Sequence, residues 1–362
     1  MNKRIVLTGG GTTGHVSVNL ALIPRLRKDG WEIHYFGSKD GIERELISNL
    51  SGVKYHSIST GKFRRQKTVK SIFENFKDVF KVIAGSIQSI YKIFKIKPSI
   101  CFSKGGFVSV PVIFGAWVNR VPTLAHESDF TPGLANKLVQ PFVKTIFTTF
   151  RETNKYIKDG KSTYVGPVIR EDLKNGDKNK AIKDLELKSD NPVLLVMGGS
   201  QGSAYINQTI RENLPHILEK YTVIHSTGKG NLDPDINLEG YYQYEYITSN
   251  LKNILALSDL VISRSGANAI FEFLYYKIPM ILIPLVKGSR GDQVVNARSF
   301  EKDGFAVIVN EDEQTQEDLL EAIDLMYQNL DQYKSKMDEF EFKDGLYFIY
   351  SKINEYARRV DR

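Results

Sequence analysis

The stretch Gly9–Gly14 reads GGGTTG and is followed at once by His15. Glycines let a backbone turn sharply and come close to a ligand, and the helix that follows such a loop offers N–H groups to an anion. An imidazole titrates near neutral pH and can take a proton from a hydroxyl group. The pair therefore suggests either anion binding or general-base chemistry, although a histidine at a helix start can also simply cap or fill space. The loop satisfies G-x-G-x-x-G, yet the second strand ends YFGSKD, with Gly37 and Ser38 where a dinucleotide fingerprint needs an acid for the ribose. That departure argues against a nicotinamide or flavin site.

Three more loops carry candidate chemistry. GGSQGS, residues 198–203, offers the Ser200 hydroxyl and amides at a helix start, suited to a phosphate; a plain strand-to-helix turn reads the same way. In SRSGANAIFE, residues 263–272, Ser265-Gly266 makes a turn and Ala267 opens a helix whose amides can meet a diphosphate. Glu272 lies about one and a half turns into that helix, where it can accept hydrogen bonds from a ribose diol or stand solvated. GDQVVNA, residues 291–297, places an acid and an amide after a buried strand, a combination that binds sugar diols. No Asp-x-Asp metal site is expected, because DPD at 233–235 falls in a surface loop.

Elements that could position these loops alternate along the chain. RIVLT is read as a strand, VNLALIPRLRKDG as a helix ending at Gly30, EIHYFG as a second strand, and PSICFS and TLAHE as later strands around a helix at 108–119. PVLLVMGG, YTVIHSTG and residues 259–285 repeat the scheme in the second half. Such alternation means right-handed βαβ crossovers and a parallel sheet. The expectation is α/β, with two doubly wound domains in tandem and ligand loops at the carboxyl ends of both sheets. The boundary is placed near TYVGPVIRED, and residues 171–191 are read as exposed loop and helix.

The 362 residues suit two domains, and the single cysteine, Cys101, excludes an internal disulfide and fits a reducing compartment. Neither a signal-peptide core nor a membrane-spanning run is expected. The net charge of +7 is concentrated: residues 62–97 hold ten basic and two acidic residues, so the remainder is close to neutral. Within that segment Ile72, Phe76, Val79, Phe80 and Ile83 fall at helical spacing. Packing that stripe on the core is one reading. Phe73, Ile87, Tyr91 and Phe94 add more apolar surface than one face needs, so a patch for anionic lipids is the other. A basic segment of this kind favours an anionic surface over nucleic acid.

Taken together, TGGGTTGHV, HESDFTPGLANK, VGPVIRED, GGSQGS, RSGANAIFE and GDQVVNA occur in an order and spacing that resembles the MurG family of bacterial peptidoglycan glycosyltransferases. The resemblance spans nearly the whole chain. It implies a GT-B fold, with two Rossmann-like domains facing a cleft: an acceptor and membrane domain over 1–165, a donor domain over 166–344, and a last helix, about 345–362, packing back on the first. It also implies inverting transfer of N-acetylglucosamine from UDP-GlcNAc to the MurNAc 4-hydroxyl of lipid I at the cytoplasmic face of the membrane, giving lipid II.

Carried over by motif, Arg170 and Ile247 sit near the uracil. Ser200 and the backbone at Ala267, Asn268 and Ala269 hold the diphosphate, Glu272 the ribose, and Gln293 and Asn296 the sugar hydroxyls. Thr12, Thr13 and Gly14 complete the substrate-binding set on the acceptor side, with His15 as candidate base. Thr13, Asp129 and Asp292 depart from the commonest family pattern, and Asp129 becomes a second candidate base or an orienter of His15. No cofactor is implied, and a divalent cation is left as a stimulant without assigned protein ligands. Expected partners are the two substrates, inner-leaflet anionic lipids and other cell-wall synthesis proteins. The rival readings are a transferase acting on diacylglycerol, a nucleotide-dependent oxidoreductase and a non-catalytic membrane-docking module.

Overall fold

A computed structural model describes residues 3–61, 69–187, 190–199, 201–248, 250–286, 290–311 and 316–360. The chain divides into two compact units, 1–170 together with 343–362, and 171–342.

In the first unit the strands are β1 (Arg4–Thr8), β2 (Glu32–Gly37), β3 (Val53–Ser57), β4 (Ile100–Ser103), β5 (Thr123–Glu127), β6 (Thr145–Thr148) and β7 (Ser162–Tyr164). They form one parallel sheet in the order β3-β2-β1-β4-β5-β6-β7. The strands at its centre are apolar runs because helices cover both faces. Ile5 and Leu7 belong to one core with Leu22 and Leu26 of the helix Ser17–Lys28, while Val6 joins Phe36 and Cys101 in another. The first helix stops where Gly30 adopts φ +77°, and Trp31 then leads into β2. The C-terminal helix Gly345–Val360 buries Leu346, Ile349, Ile353 and Ala357 in the same core as Leu22.

In the second unit the strands are β8 (Val193–Met197), β9 (Thr222–Ser226), β10 (Tyr241–Tyr244), β11 (Leu260–Ser263), β12 (Met280–Leu282) and β13 (Ala306–Ile308), all parallel in the order β10-β9-β8-β11-β12-β13. In both sheets the strand order reverses beside the first strand of the unit. This is the doubly wound plan, and it collects the loops after the strands at one edge.

Helix Val69–Ile96 is 28 residues long, roughly 42 Å at the usual rise. The reading that packs its apolar stripe on the core is corrected here. Phe76, Val79, Phe80 and Ile83 are between 52% and 62% exposed, and Phe73, Ile87, Tyr91 and Phe94 also face outward. The Ile72 side chain and residues 62–68 lie outside the described residues. What the helix buries is Ser71, Asp78, Gly85, Ser89 and Ile93. Small residues decide this packing. A Cβ on Gly85 would lie 2.0 Å from Ser59 O, and one on Gly115 would lie 2.7 Å from Ser89 Cβ, so this helix and the helix Ser109–Val118 meet at close range through Ser89 and Gly115. Among the described residues no helix is long and apolar enough to cross a membrane.

Candidate active site

In the first unit the loop after β1 leads into a short 3-10 turn, Thr13–His15, and then into the first helix. His15 Nδ1 lies 3.0 Å from Thr12 Oγ1. Thr12 is exposed, while Thr13, Gly14 and His15 are half-buried. The loop after β4 presses on this turn. A Cβ on Gly106, which has φ +82°, would lie 2.2 Å from Gly10 O and 3.1 Å from His15 Nδ1, so only glycine fits there.

The loop after β5 carries Asp129. Its shape is set by Glu127, whose buried carboxylate accepts from Asp129 N at 3.1 Å, Gly133 N at 2.8 Å and Asn136 Nδ2 at 2.9 Å. Lys104 is buried behind it and donates from Nζ to Ser128 Oγ at 2.7 Å. Burial holds its pKa below the ordinary lysine value, while the charges of Glu127 and Asp129 pull it back up. His15 and Asp129 are thus carried by loops at the same edge of the first sheet. Arg170 is half-buried at the end of the first stretch of this unit.

In the second unit the loop after β8 holds Gly202 at φ +75°, where a Cβ would strike Thr227 O at 2.1 Å. Ser203 caps the helix Ala204–Ile217 by accepting from Ile206 N at 3.3 Å. Ser200 lies outside the described residues. After β11, Gly266 is the N-cap of helix Ala267–Tyr275. The first backbone bond of that helix is Ile270 N–H to Gly266 O, so the amides of Ala267 and Ala269 belong to the turn that has no acceptor inside the helix. Asn268, Ala269 and Glu272 are half-buried on this helix, and Ile247 is half-buried in the loop after β10.

Gln293 and Asn296 lie under the same turn. Ser265 Oγ donates to Gln293 O at 2.8 Å, and Gln293 Oε1 accepts from Leu285 N at 2.9 Å. Asn296 is fully buried and donates to Ser265 O at 3.2 Å. From this position Asn296 holds the Ser265-Gly266 turn from beneath.

Arg264 was not singled out by sequence reasoning, although it lies inside the SRSGANAIFE motif. Its guanidinium is buried, donating to Ile283 O at 3.0 Å and Ser203 Oγ at 2.7 Å and pairing with Glu311 at 2.7 Å. One side chain therefore ties together the loops after β8, β11, β12 and β13, which a rigid planar fork can do and an ammonium cannot. Among the described residues no group of three or more His, Cys, Asp or Glu side chains is placed to hold a metal ion.

Known proteins share this plan and much of this sequence. The model for the glycosyltransferase family 28 N-terminal domain matches residues 5–148, and that for the C-terminal domain matches residues 193–347. A relative from Geobacillus thermodenitrificans is 52% identical over 360 residues, 99% of this chain and 100% of its own length. Its name is UDP-N-acetylglucosamine–N-acetylmuramyl-(pentapeptide) pyrophosphoryl-undecaprenol N-acetylglucosamine transferase. The chain belongs to the MurG family.

A second MurG relative, from Oceanobacillus iheyensis, bears the same name and is 54% identical over 92% of this chain and 95% of its own length. The solved structure of Acinetobacter baumannii MurG superposes with a TM-score of 0.76 over 98% of this chain and 99% of its own, at 19% identity. A calicheamicin glycosyltransferase reaches a TM-score of 0.72 at 14% identity, covering 100% of both chains. These likenesses establish the GT-B fold, and the MurG relatives make the chain a glycosyltransferase.

Proposed function

We propose that this chain transfers N-acetylglucosamine from UDP-GlcNAc to the 4-hydroxyl of the MurNAc residue of lipid I, with inversion, to give lipid II in peptidoglycan synthesis. The observation that carries this reading is the identity of 52% along the full length of a relative named for that transfer. In this reading the MurNAc hydroxyl oxygen attacks the anomeric carbon as the bond from that carbon to the UDP oxygen breaks. The bonding pair leaves with UDP, and the hydroxyl proton passes to His15 Nε2. That role requires His15 Nδ1 to carry a proton and donate it to Thr12 Oγ1. Asp129, in the loop clamped by Glu127 and Lys104, is the second candidate for the proton.

The leaving diphosphate is assigned to the amides of Ala267, Asn268 and Ala269 and to the loop that contains Ser200, both at helix N-termini, where the field favours negative charge. Glu272 takes the ribose diol, Ile247 and Arg170 the uracil, and Gln293 a sugar hydroxyl. Thr12, Thr13 and Gly14 line the acceptor side.

The acceptor is a lipid, and the exposed face of helix Val69–Ile96 suits a membrane surface. Phe73, Phe76, Phe80, Ile83, Ile87 and Phe94 run along it, and Lys77 and Lys95 lie 4.5 and 4.4 Å from the rings of Phe73 and Tyr91. Apolar rings with ammonium groups beside them match the boundary between acyl chains and anionic headgroups. In this reading the chain works as a peripheral protein at the cytoplasmic face of the membrane.

The test is incubation of the full chain with radiolabelled UDP-GlcNAc and a short-chain lipid I analogue, with diacylglycerol as a second acceptor. Labelled disaccharide product from lipid I alone is expected. Label on diacylglycerol without label on lipid I overturns the reading.

A further inference from the structure

Glu43 is a fully buried carboxylate in the helix Ile42–Ser48 that faces the back of the first glycine loop. Its Oε2 accepts from Gly11 N at 3.0 Å, and its Oε1 accepts from Ser38 N at 2.9 Å and Ser38 Oγ at 2.5 Å. All three donors are neutral, and among the described residues no cation is paired with it. The surrounding chain is hollowed out to make room. A Cβ on Gly10 would lie 2.4 Å from the carboxyl carbon, one on Gly41 2.4 Å from either carboxylate oxygen, and one on Gly37 3.0 Å from Cγ. Gly10 makes room for this side chain alone, Gly41 for it and the Ser38 hydroxyl, and Gly37 first for Tyr55, whose OH a Cβ there would meet at 2.0 Å. Two tyrosines close this cradle: Tyr55 OH donates to Ser38 O and Tyr35 OH donates to Gly9 O, each at 2.7 Å.

A buried carboxylate is tolerated only where it is fully hydrogen-bonded, and amide-rich turns are anion-binding concavities. A nucleotide-binding fold of this plan offers such amides to a pyrophosphate and sets an acid at the end of the second strand on the ribose. Here the acid stands six residues beyond the strand end, in a helix, and folds back onto the loop itself. The first glycine loop receives its anion from within the chain.

We propose that Glu43 is a positioning residue for the transfer reaction: its carboxylate is the built-in anion of the first glycine loop, fixing the Gly11 amide and with it the turn that presents Thr12 and His15. The assignment rests on the reading that this turn serves the acceptor. It also explains how two loops of similar sequence divide their work. The loop after β1 has its Gly11 amide filled, and the donor diphosphate is left to the second unit.

The experiment uses the full chain as Glu43→Gln, which keeps the shape and removes the charge, and as Glu43→Ala, which empties the cradle. Amide exchange at Gly11, followed by mass spectrometry of peptides from residues 9–16, is expected to quicken by about tenfold or more in Glu43→Gln. Turnover is expected to fall by about tenfold or more while UDP affinity by calorimetry stays within about twofold. Sodium formate is expected to restore turnover in Glu43→Ala where sodium chloride at equal ionic strength does not. Unchanged exchange at Gly11 in Glu43→Gln, or no response of folded Glu43→Ala to formate, overturns the proposal. Should Glu43→Ala fail to fold by circular dichroism, Glu43→Gln decides, and wild-type turnover in it overturns the proposal. A His15→Ala variant of wild-type rate would remove the proton-acceptor reading and leave the Gly11 exchange result standing, so the two failures are distinguishable.

Discussion

The hydroxyl of Thr12 lies 3.0 Å from Nδ1 of His15, three residues further along the same glycine loop. A proton acceptor needs one ring nitrogen held and the other directed at its target, and a threonine hydroxyl can hold the first. His15→Ala is expected to lower kcat by about 100-fold or more, with KM for UDP-GlcNAc little changed, because the diphosphate, ribose and sugar contacts proposed for the donor are on residues other than His15. Thr12→Val removes only the orienting hydroxyl, and about tenfold in kcat is expected. Steady-state kinetics with a short-chain lipid I analogue check both. A His15→Ala variant that loses donor affinity and keeps its turnover would refute the assignment.

Arg264 makes a different kind of prediction, because it touches protein on every side. Replacing it with methionine leaves Ser203 Oγ and the Glu311 carboxylate without their donor, and each charged hydrogen bond of this type is worth about 1.5–3 kcal/mol. Arg264→Met is expected to lower the unfolding free energy by an amount in that range and to raise the Kd for UDP. Arg264→Lys keeps the charge but cannot reach all three partners, so it should fall between the two. Calorimetry with UDP and urea denaturation measure these separately; donor affinity untouched in both variants would mean that the four loops are held by other contacts.

The elements with strong local signals were readable from residue order. Strand β1 stops at three glycines, and the helix after Gly266 starts with Ala-Asn-Ala and carries buried Ile270, Phe271, Phe273 and Leu274. Strands β7, β12 and β13 have three residues each, too few for a period to register, and β12 was legible only because it lies in the apolar run 278–285. The face of helix Val69–Ile96 was misjudged in one reading because burial there follows size: Gly85 and Ser89 allow a close approach that Phe76 and Phe80 would forbid. Glu43, Lys104 and Arg264 escaped notice for a related reason. Each acts on residues far away in the chain, and nothing in its own neighbours marks a buried charge. The missing acid after β2 was a visible signal, and its meaning depended on a fold-back that no spacing rule contains.

The outward stripe on helix Val69–Ile96 predicts a separable membrane function. Fully burying a phenylalanine is worth about 1.5–3 kcal/mol, so Phe76→Asp with Phe80→Asp is expected to cut binding to phosphatidylglycerol vesicles by well over about tenfold. Turnover on a water-dispersed short-chain acceptor is expected to stay near wild type, since both side chains face away from the core. Raising the salt should weaken vesicle binding of the native chain, through screening of the lysines. Co-sedimentation gives the first and third numbers, and vesicle binding that survives the double substitution would assign the stripe to another partner.

His225 sets a pH dependence in the second unit. It is fully buried on β9, with Nδ1 3.0 Å from Tyr241 Oη and Nε2 3.1 Å from Asn207 Oδ1. Asn207 Nδ2 donates to Thr227 O, which turns the amide oxygen toward the ring. The neutral imidazole then donates from Nε2 and accepts the tyrosine hydroxyl at Nδ1. Burial lowers its pKa to about 3, with the charge of Arg211 adding to the effect. A group whose folded pKa lies below its unfolded value of 6.5 stabilises the fold above that value. Its contribution is lost as the pH falls from 6.5 toward 3, because only the unfolded chain takes up the proton. His56, stacked on His34 in the first unit and held at about 4 by burial, acts in the same direction. The melting temperature is therefore expected to drop between about pH 6.5 and pH 4. In His225→Gln the curve should start lower and fall less steeply, because the glutamine has no proton to gain. A slope identical to wild type in differential scanning calorimetry across that interval would show that His225 does not set the acid limit of the fold.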